Sequence, residues 1–283
     1  MRFGIKTSPQ ETTWEAMLAV WQEADDIEVF TSAWNFDHFY PIFSDPTGPC
    51  LEGWTMLAAM AHATRRLRLG VQVGAMPYRH PAVLANMCAT IDIISGGRLE
   101  IGLGAGWNDE EADAYGIELP PLKERFDRFD EGVEVIVRLL RDTTTTFDGD
   151  WVRLTDARCE PKPVQRPHPP IAIGGTGRRR TLRTTARWAQ HWNALVGSPE
   201  QWRELRDVLD AHCADVGRDP AEIESSVTLW HDPAAGPGAL AEASAGYAEA
   251  GVDIVIVYLP IPHSPDVLEP IATALAPLTQ ETA

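Results

Sequence analysis

Short apolar runs alternate along the chain with longer segments whose apolar residues recur at helical spacing. Each run ends at glycine, proline or polar residues, as buried strands do. Eight runs fit this pattern, and we predict them to be parallel strands. They lie at Phe3–Ser8, Phe30–Phe36, residues 66–76 (ending near Gly74), the start of Arg98–Asn108, Pro170–Gly174, His191–Val196, Val227–Trp230 and Val252–Leu259.

A predicted helix follows each strand. Thr12 or Thr13 is expected to cap the first helix, and Gly217 and Gly251 are expected to end two later ones. Eight strand–helix units in one chain predict an α/β fold, a (β/α)8 barrel. The helices lie at Trp14–Ala24, Trp54–Arg65, Pro81–Ile91, Phe126–Leu140, after Gly177, and at Trp202–Val216, Ala239–Ala250 and Val267–Leu278.

The fourth predicted strand, in RLEIGLGAGWN, ends in glycines at 102, 104 and 106. Such a strand end is also found in doubly wound dinucleotide-binding domains, so that fold is the alternative. Its glycine fingerprint follows the first strand and opens a helix. Here the glycines follow the fourth strand, and we expect Asp109–Leu122 to be a loop. The pattern therefore favours the barrel.

One segment interrupts the alternation of strands and helices. Residues 142–170 contain FDGDWVRL, which predicts a hairpin, and CEPKPVQRPHPP, which predicts an extended chain. Strand–helix units resume beyond it, so we interpret it as an insertion after strand four. Residues 1–283 are then expected to form a single barrel domain.

Composition limits the partners that we expect. The chain has 283 residues, enough for a barrel, and its 41 acidic and 24 basic residues give a net charge of −17. A strongly negative body repels nucleic acid and anionic membranes. The four cysteines form no CxxC pair, and the N-terminus lacks the apolar core of a signal peptide. We expect a cytoplasmic protein with reduced thiols.

In a barrel, ligands bind where strands end and loops begin. Asp37 and His38 follow the second strand, and a histidine beside a carboxylate can transfer a proton near neutral pH. The alternative is that Asp37 caps a turn and His38 only completes the loop. Trp34 and Trp107, also at strand ends, are candidates for stacking on a planar ring.

The sequence GGTGRRR follows the fifth strand. Amide groups of a glycine loop at a helix N-terminus can bind phosphate, and Arg178, Arg179 and Arg180 add positive charge. A solvated basic helix face explains the same residues, so both interpretations stay open. There is no HExxH, no GxSxG and no histidine pair at metal-ligand spacing, so we expect no metal site and no hydrolase.

Three segments together resemble the luciferase-like monooxygenase superfamily: SAWNFDHF, YRHPAVLANMCATIDIISGGRLEIGLGAGWN and EPKPVQRPHPPIAIGGTGRRRTLR. They are most similar to its branch that uses the deazaflavin coenzyme F420. The resemblance runs from about Arg2 to about Leu259. It implies a TIM barrel with an insertion after strand four, a flavin-type ring at the C-terminal mouth, and a homodimer.

The resemblance also implies roles for particular residues. Asp37 and His38 would be catalytic, near the pyrimidine edge of the ring. A non-prolyl cis peptide would fall within Val73, Gly74 and Ala75, behind the ring. The ring and its side chain would be lined by Gly104, Ala105, Gly106, Trp107 and Asn108, and the phosphate would be held by Gly174, Gly175, Thr176, Gly177 and Arg178.

The cofactor and activity follow as hypotheses. Coenzyme F420 has a phospholactyl-oligoglutamate tail that would suit Arg178–Arg180, whereas FMN has none, so F420 is favoured over FMN. The leading hypothesis is an F420-dependent oxidoreductase that transfers hydride to or from a small organic substrate. In it, His38 would exchange the accompanying proton or stabilise negative charge near N1 of the ring, and Asp37 would orient His38 or bond the ring edge. The alternatives are an FMN-dependent two-component monooxygenase and a flavin-binding barrel without catalysis.

Overall fold

A computed structural model describes residues 1–279. The strands are β1 (Arg2–Lys6), β2 (Phe30–Asn35), β3 (Arg68–Val71), β4 (Gly74–Ala75), β5 (Leu99–Gly104), β6 (Thr145–Asp148), β7 (Arg153–Ala157), β8 (Ile171–Gly174), β9 (His191–Ala194), β10 (Glu224–Trp230) and β11 (Ile254–Tyr258). The α-helices are α1 (Trp14–Asp26), α2 (Gly53–Ala63), α3 (Pro81–Ser95), α4 (Asp109–Ala114), α5 (Leu122–Arg141), α6 (Thr181–Trp188), α7 (Pro199–Val216), α8 (Gly236–Ala250) and α9 (Leu268–Leu275).

The main sheet is a closed parallel barrel. Its strands follow the order β3-β2-β1-β11-β10-β9-β8-β5-β4, and pairing of β3 with β5 closes the ring. Strands β3 and β4 occupy one barrel position, because the ladder is interrupted at Gln72 and Val73, which a cis peptide bond joins. The barrel therefore has the eight positions that the sequence predicts, and the doubly wound alternative is wrong.

The interior of the barrel is unusually polar. The Glu100 carboxylate lies 2.6 Å from Arg68 Nε and 2.9 Å from His191 Nδ1. His191 Nε2 contacts the Ser226 hydroxyl at 2.7 Å, and that hydroxyl accepts a bond from Asn193 Nδ2 at 2.9 Å. Burial raises the pKa of Glu100, but the bonds from His191 and Arg68 outweigh it and bring the pKa to about 2. A paired carboxylate thus occupies a layer that barrels usually fill with aliphatic side chains.

The segment after β5 differs from the prediction. Asp109–Leu122 is not a loop, because α4 begins at Asp109 and α5 begins at Leu122. The Asn108 side chain accepts a bond from the Glu111 amide at 3.2 Å and so caps α4. The glycines at the end of β5 are therefore followed by a short helix. The barrel assignment is correct, although one argument for it was that these glycines open a loop.

The predicted hairpin is present outside the barrel. Strands β6 and β7 pair antiparallel, with Phe147 opposite Leu154, in a separate two-stranded sheet between α5 and β8. Glu131 on α5 accepts bonds from the turn amides of Asp150 and Trp151, each at 3.0 Å.

Across residues 1–279, no helix has the length and apolar character to cross a bilayer.

Candidate active site

A cavity of about 470 Å³ lies at the C-terminal ends of the barrel strands. This volume is within the range typical of cofactor and substrate sites, roughly 300–1,000 Å³. Side chains from both the predicted ligand loops and the opposite strands line it. Among them are Lys6, Phe43, Gln72, Tyr78, Asn193, Thr228, Trp230 and Tyr258.

The structure brings most of the predicted site residues to this cavity. Lining it are Asp37, His38, Val73, Ala75, Gly104, Ala105, Gly106, Trp107, Gly174 and Gly175. Five predicted residues are not part of its lining: Gly74, Asn108, Thr176, Gly177 and Arg178. Gly74 lies against Trp54, where a Cβ would be 2.9 Å from the indole ring, and Asn108 caps α4. Thr176, Gly177 and Arg178 directly follow the lining residues Gly174 and Gly175 in the sequence.

His38 forms a dyad with Glu111. Its Nδ1 lies 2.7 Å from Glu111 Oε2, and the Glu111 side chain is fully buried. The His38 ring meets the Trp107 ring edge-on, with centroids 5.5 Å apart. Within residues 1–279 the other ring nitrogen, Nε2, has no hydrogen-bond partner, and the ring lines the cavity. A carboxylate that fixes one imidazole nitrogen leaves the other available to exchange a proton.

Glu111 is a candidate site residue that the sequence analysis did not predict. Its carboxylate also accepts bonds from the Tyr78 hydroxyl and the Phe39 amide, both at 2.5 Å. Burial raises the pKa of Glu111, but the bonds from His38 and Tyr78 outweigh it and hold the pKa below its usual value. The signal was the spacing Asn108-x-x-Glu111, which marks a helix start. Here the Glu111 carboxylate bonds His38 rather than closing the cap.

Asp37 does not orient His38, which corrects the prediction for that role. Its two carboxylate oxygens accept bonds from Arg79, at 2.7 and 2.9 Å. Oδ2 also accepts bonds from the Ala75 amide at 3.1 Å and from Trp54 Nε1 at 3.3 Å. The side chain is turned toward Arg79 because a guanidinium presents two parallel donors to a carboxylate. A bond from Asp37 to a ring edge stays a prediction.

Val73 and two glycines form one wall of the cavity. A Cβ on Gly104 would lie 2.8 Å from Val73 Cγ2, and one on Gly174 would lie 2.9 Å from Val73 Cγ1. Only glycine at both positions leaves room for this valine between β5 and β8. The cis bond joins Gln72 to Val73, at the N-terminal edge of the range that the resemblance implied.

The two tryptophans singled out for ring stacking have different environments. Trp34 is 1% exposed, and its Nε1 donates to the Ser32 hydroxyl at 3.0 Å inside the barrel. It does not line the cavity, so the stacking prediction for Trp34 is wrong. Its strand position sends the side chain inward, below the mouth. Trp107 does line the cavity and is 62% exposed.

The arginines after the glycine loop are already partly paired. Arg178 lies 3.0 Å from Glu204, and Arg180 lies 2.6 Å from Asp127 and 2.9 Å from Asp130. Two of the three cations expected at a polyglutamate tail therefore have carboxylate partners within this chain. Their pairing weakens the argument for F420 that rested on this charge.

The polar groups at the cavity fit a flavin or deazaflavin ring. Gln72 Nε2 is buried, and the described part of the chain offers it no hydrogen-bond acceptor. The pyrimidine edge of such a ring carries carbonyl oxygens that can accept from it. The amides of Thr176 and Gly177 likewise have no acceptor among residues 1–279, as a phosphate site requires. Gln72, like Glu111, was not predicted.

The chain is similar in sequence to known proteins of one family. The family model described as luciferase-like monooxygenase matches residues 1–252. An F420-dependent glucose-6-phosphate dehydrogenase of Kineococcus radiotolerans is 31% identical over 241 residues, 83% of this chain and 70% of that protein. An FMNH2-dependent dimethylsulfone monooxygenase of Pseudomonas putida is 30% identical over 173 residues, 59% of this chain and 47% of that protein.

A solved structure supports the fold. An F420-dependent secondary alcohol dehydrogenase, in complex with an F420-acetone adduct, superposes with a TM-score of 0.88 and 18% identity, covering 99% of both chains. The similar proteins thus include both F420-dependent and FMN-dependent enzymes. With a matching family model over residues 1–252 and a barrel of the same architecture, the chain belongs to the luciferase-like monooxygenase family.

Proposed function

We propose that this chain is an oxidoreductase that transfers hydride between coenzyme F420 and a small organic substrate. The observation that carries the proposal is the His38–Glu111 dyad, 2.7 Å between Nδ1 and Oε2, facing the cavity. A two-electron transfer to a carbonyl or similar group needs a proton at the acceptor. His38 Nε2 is the group placed to give or take it.

The surrounding residues have separate tasks in this proposal. Glu111 orients the His38 ring, while Tyr78 and the Phe39 amide hold Glu111 in place. The Val73 wall and the glycines of β5 and β8 would contact the flat face of the cofactor. Bound F420 supplies a hydride donor or acceptor at C5. The protein then needs only to orient the substrate and exclude water.

The choice of F420 over FMN rests on similar proteins. Several curated relatives carry the name F420-dependent glucose-6-phosphate dehydrogenase. The FMN alternative keeps support from the dimethylsulfone monooxygenase relative and from the internal pairing of Arg178 and Arg180. A cytoplasmic location and a homodimer stay predictions.

The reactions of reduced F420 and reduced FMN distinguish these functions. Reduced F420 and reduced FMN are each mixed with the protein and a panel of small carbonyl compounds, first without oxygen and then in an oxygen electrode. We expect oxidation of reduced F420 without oxygen uptake. Oxygen consumption seen only with reduced FMN would overturn the proposal in favour of a monooxygenase. Tight binding without turnover of either cofactor would instead indicate a non-catalytic carrier.

A further inference from the structure

Lys6 is a cation in the cavity without a counter-charge. It ends β1, is half-buried, and donates from Nζ to the backbone oxygen of Gln72 at 2.8 Å. Nζ also lies 5.2 Å from the centre of the Tyr258 ring. Among residues 1–279, no carboxylate lies within ion-pair distance of it, although the chain as a whole has 41 acidic residues.

An ammonium group in such a position destabilises the folded protein unless a negative charge pairs with it. Burial of an ammonium removes its hydration, and here that loss lowers the pKa of Lys6 to about 7. One carbonyl acceptor satisfies one of its three N–H donors. The two remaining donors are at the cavity wall and do not bond His38 or Glu111. An anion in the cavity would supply the missing charge.

The barrel places Lys6 away from the glycine wall. Counting around the ring of strands, β1 and β11 lie opposite β8 and β5. The glycines of the proposed cofactor wall belong to β5 and β8, whereas Gln72 and Val73 lie between β3 and β4, and Lys6 Nζ reaches the backbone oxygen of Gln72. Lys6 therefore lies at the inner edge of the half of the cavity opposite those glycines, between the Gln72 backbone oxygen and the Tyr258 ring, where a substrate lying over the cofactor would reach it.

Aromatic side chains surround this half. The rings of Trp230 and Tyr258 stack with centroids 3.9 Å apart, and Phe43 meets Trp230 edge-on at 5.2 Å. Phe43 and Trp230 are 57% and 55% exposed, so they form an apolar rim at the mouth. An apolar rim above a single cation suits a molecule with an apolar body and one negatively charged end.

We propose that Lys6, Phe43, Trp230 and Tyr258 form the substrate subsite, and that the substrate class is a small apolar or aromatic monocarboxylate whose carboxylate binds Lys6 Nζ. Calling this ligand the substrate rests on the proposed function. The binding of the anion itself does not depend on it.

The test uses benzoate as the probe and benzamide as its neutral counterpart of nearly the same shape. Binding of each is titrated by calorimetry below pH 7, with and without bound cofactor, for wild type and Lys6→Met. Lys123→Met is the matched control, because its side chain is 87% exposed on the outer surface. F420 and FMN are titrated into every variant, which also shows that each one folds.

We expect wild type and Lys123→Met to prefer benzoate over benzamide by at least about tenfold. Lys6→Met should lose that preference while keeping its cofactor affinity. If Lys6→Met keeps the preference, or wild type shows none, the subsite is wrong. A tenfold loss of cofactor affinity in Lys6→Met would also overturn it, since Lys6 would then serve the cofactor. If wild type binds neither cofactor, the proposed function fails, while the benzoate titration without cofactor still decides the role of Lys6.

Discussion

Arg79 donates hydrogen bonds to both carboxylate oxygens of Asp37, at 2.7 and 2.9 Å. This pair ties the chain just after β2 to Arg79, which follows β4, and the same carboxylate also accepts a bond from the amide of Ala75, the last residue of β4. Asp37 is 2% exposed, so the pair is largely removed from water. Asp37, the residue next to the catalytic candidate His38, therefore serves mainly to hold the structure of the site.

Removing this carboxylate should destabilise the protein strongly. Asp37→Ala leaves Arg79 half-buried with only Glu52 as a partner, and loss of one member of a buried pair typically costs about 3–5 kcal/mol. Asp26→Ala is the control, since its ion pair with Arg65 is exposed and should contribute less than about 1 kcal/mol. Urea denaturation measures both. Equal free energies of unfolding for the two variants would show that the Asp37 pair has no special structural role.

The dyad gives a prediction about catalysis. His38→Ala should lower turnover by roughly 10²–10⁴, the usual contribution of a positioned acid or base, with little change in cofactor affinity. Glu111→Gln should lower turnover less and should also alter the pH profile, because the His38 ring loses its ionised partner. Glu110→Gln, exposed on the same helix, is the control and should resemble wild type. A Glu111→Gln variant with an unchanged pH profile would contradict the dyad.

The barrel interior predicts a specific acid sensitivity. The pKa of Glu100 is about 2 in the folded protein, below the usual 4.5, because His191 and Arg68 bond the carboxylate despite its burial. The unfolded chain therefore binds this proton first as the pH falls. The stabilisation, on the order of 3 kcal/mol, is fully present above about pH 4.5 and is lost between there and about pH 2.

The difference in unfolding free energy between wild type and Glu100→Gln should accordingly shrink as the pH falls through this window. Denaturant titrations at several pH values measure it. Glu224→Gln, which removes a carboxylate 51% exposed in a surface pair with Arg2, should show no such trend. A constant difference between wild type and Glu100→Gln would mean that the pKa of Glu100 is not lowered by folding.

Close strand contacts make one glycine irreplaceable. A Cβ on Gly102 would lie 1.8 Å from the Val71 carbonyl oxygen on the adjoining strand, so Gly102→Ala should cost about 3 kcal/mol or more, or prevent folding. Gly246→Ala is the matched control. It lies inside α8 with its nearest neighbour at 3.5 Å, and it should stabilise the protein by about 0.5–1 kcal/mol. Thermal unfolding of both variants checks the contrast.

The sequence predicts the barrel well because the pattern that marks each strand or helix lies within one short segment. Apolar runs such as Ile254–Tyr258, and stops such as Gly217 and Gly251, encode elements directly, and both glycines do end helices in the left-handed conformation. Short helix α4 was missed, since six residues offer little periodicity and only the Asn108 cap marks its start.

The site was predicted less completely because its contacts join distant segments. Glu111 meets His38 across 73 residues, and Arg79 reaches Asp37 across 42. Neither pairing leaves a pattern in adjacent residues. Lys6 likewise is the last residue of an ordinary strand, and only closure of the barrel places it in the cavity.

The measurement that tests the account most directly is an equilibrium titration of wild type with F420, followed by tryptophan fluorescence and repeated with Trp107→Phe. Trp107 lies against His38 at the cavity mouth, with ring centroids 5.5 Å apart, so a ring bound there should quench its emission. We predict saturable quenching in wild type that is much smaller in Trp107→Phe, with similar affinity in both. Binding that leaves Trp107 emission unchanged, or no binding of F420, would contradict the account.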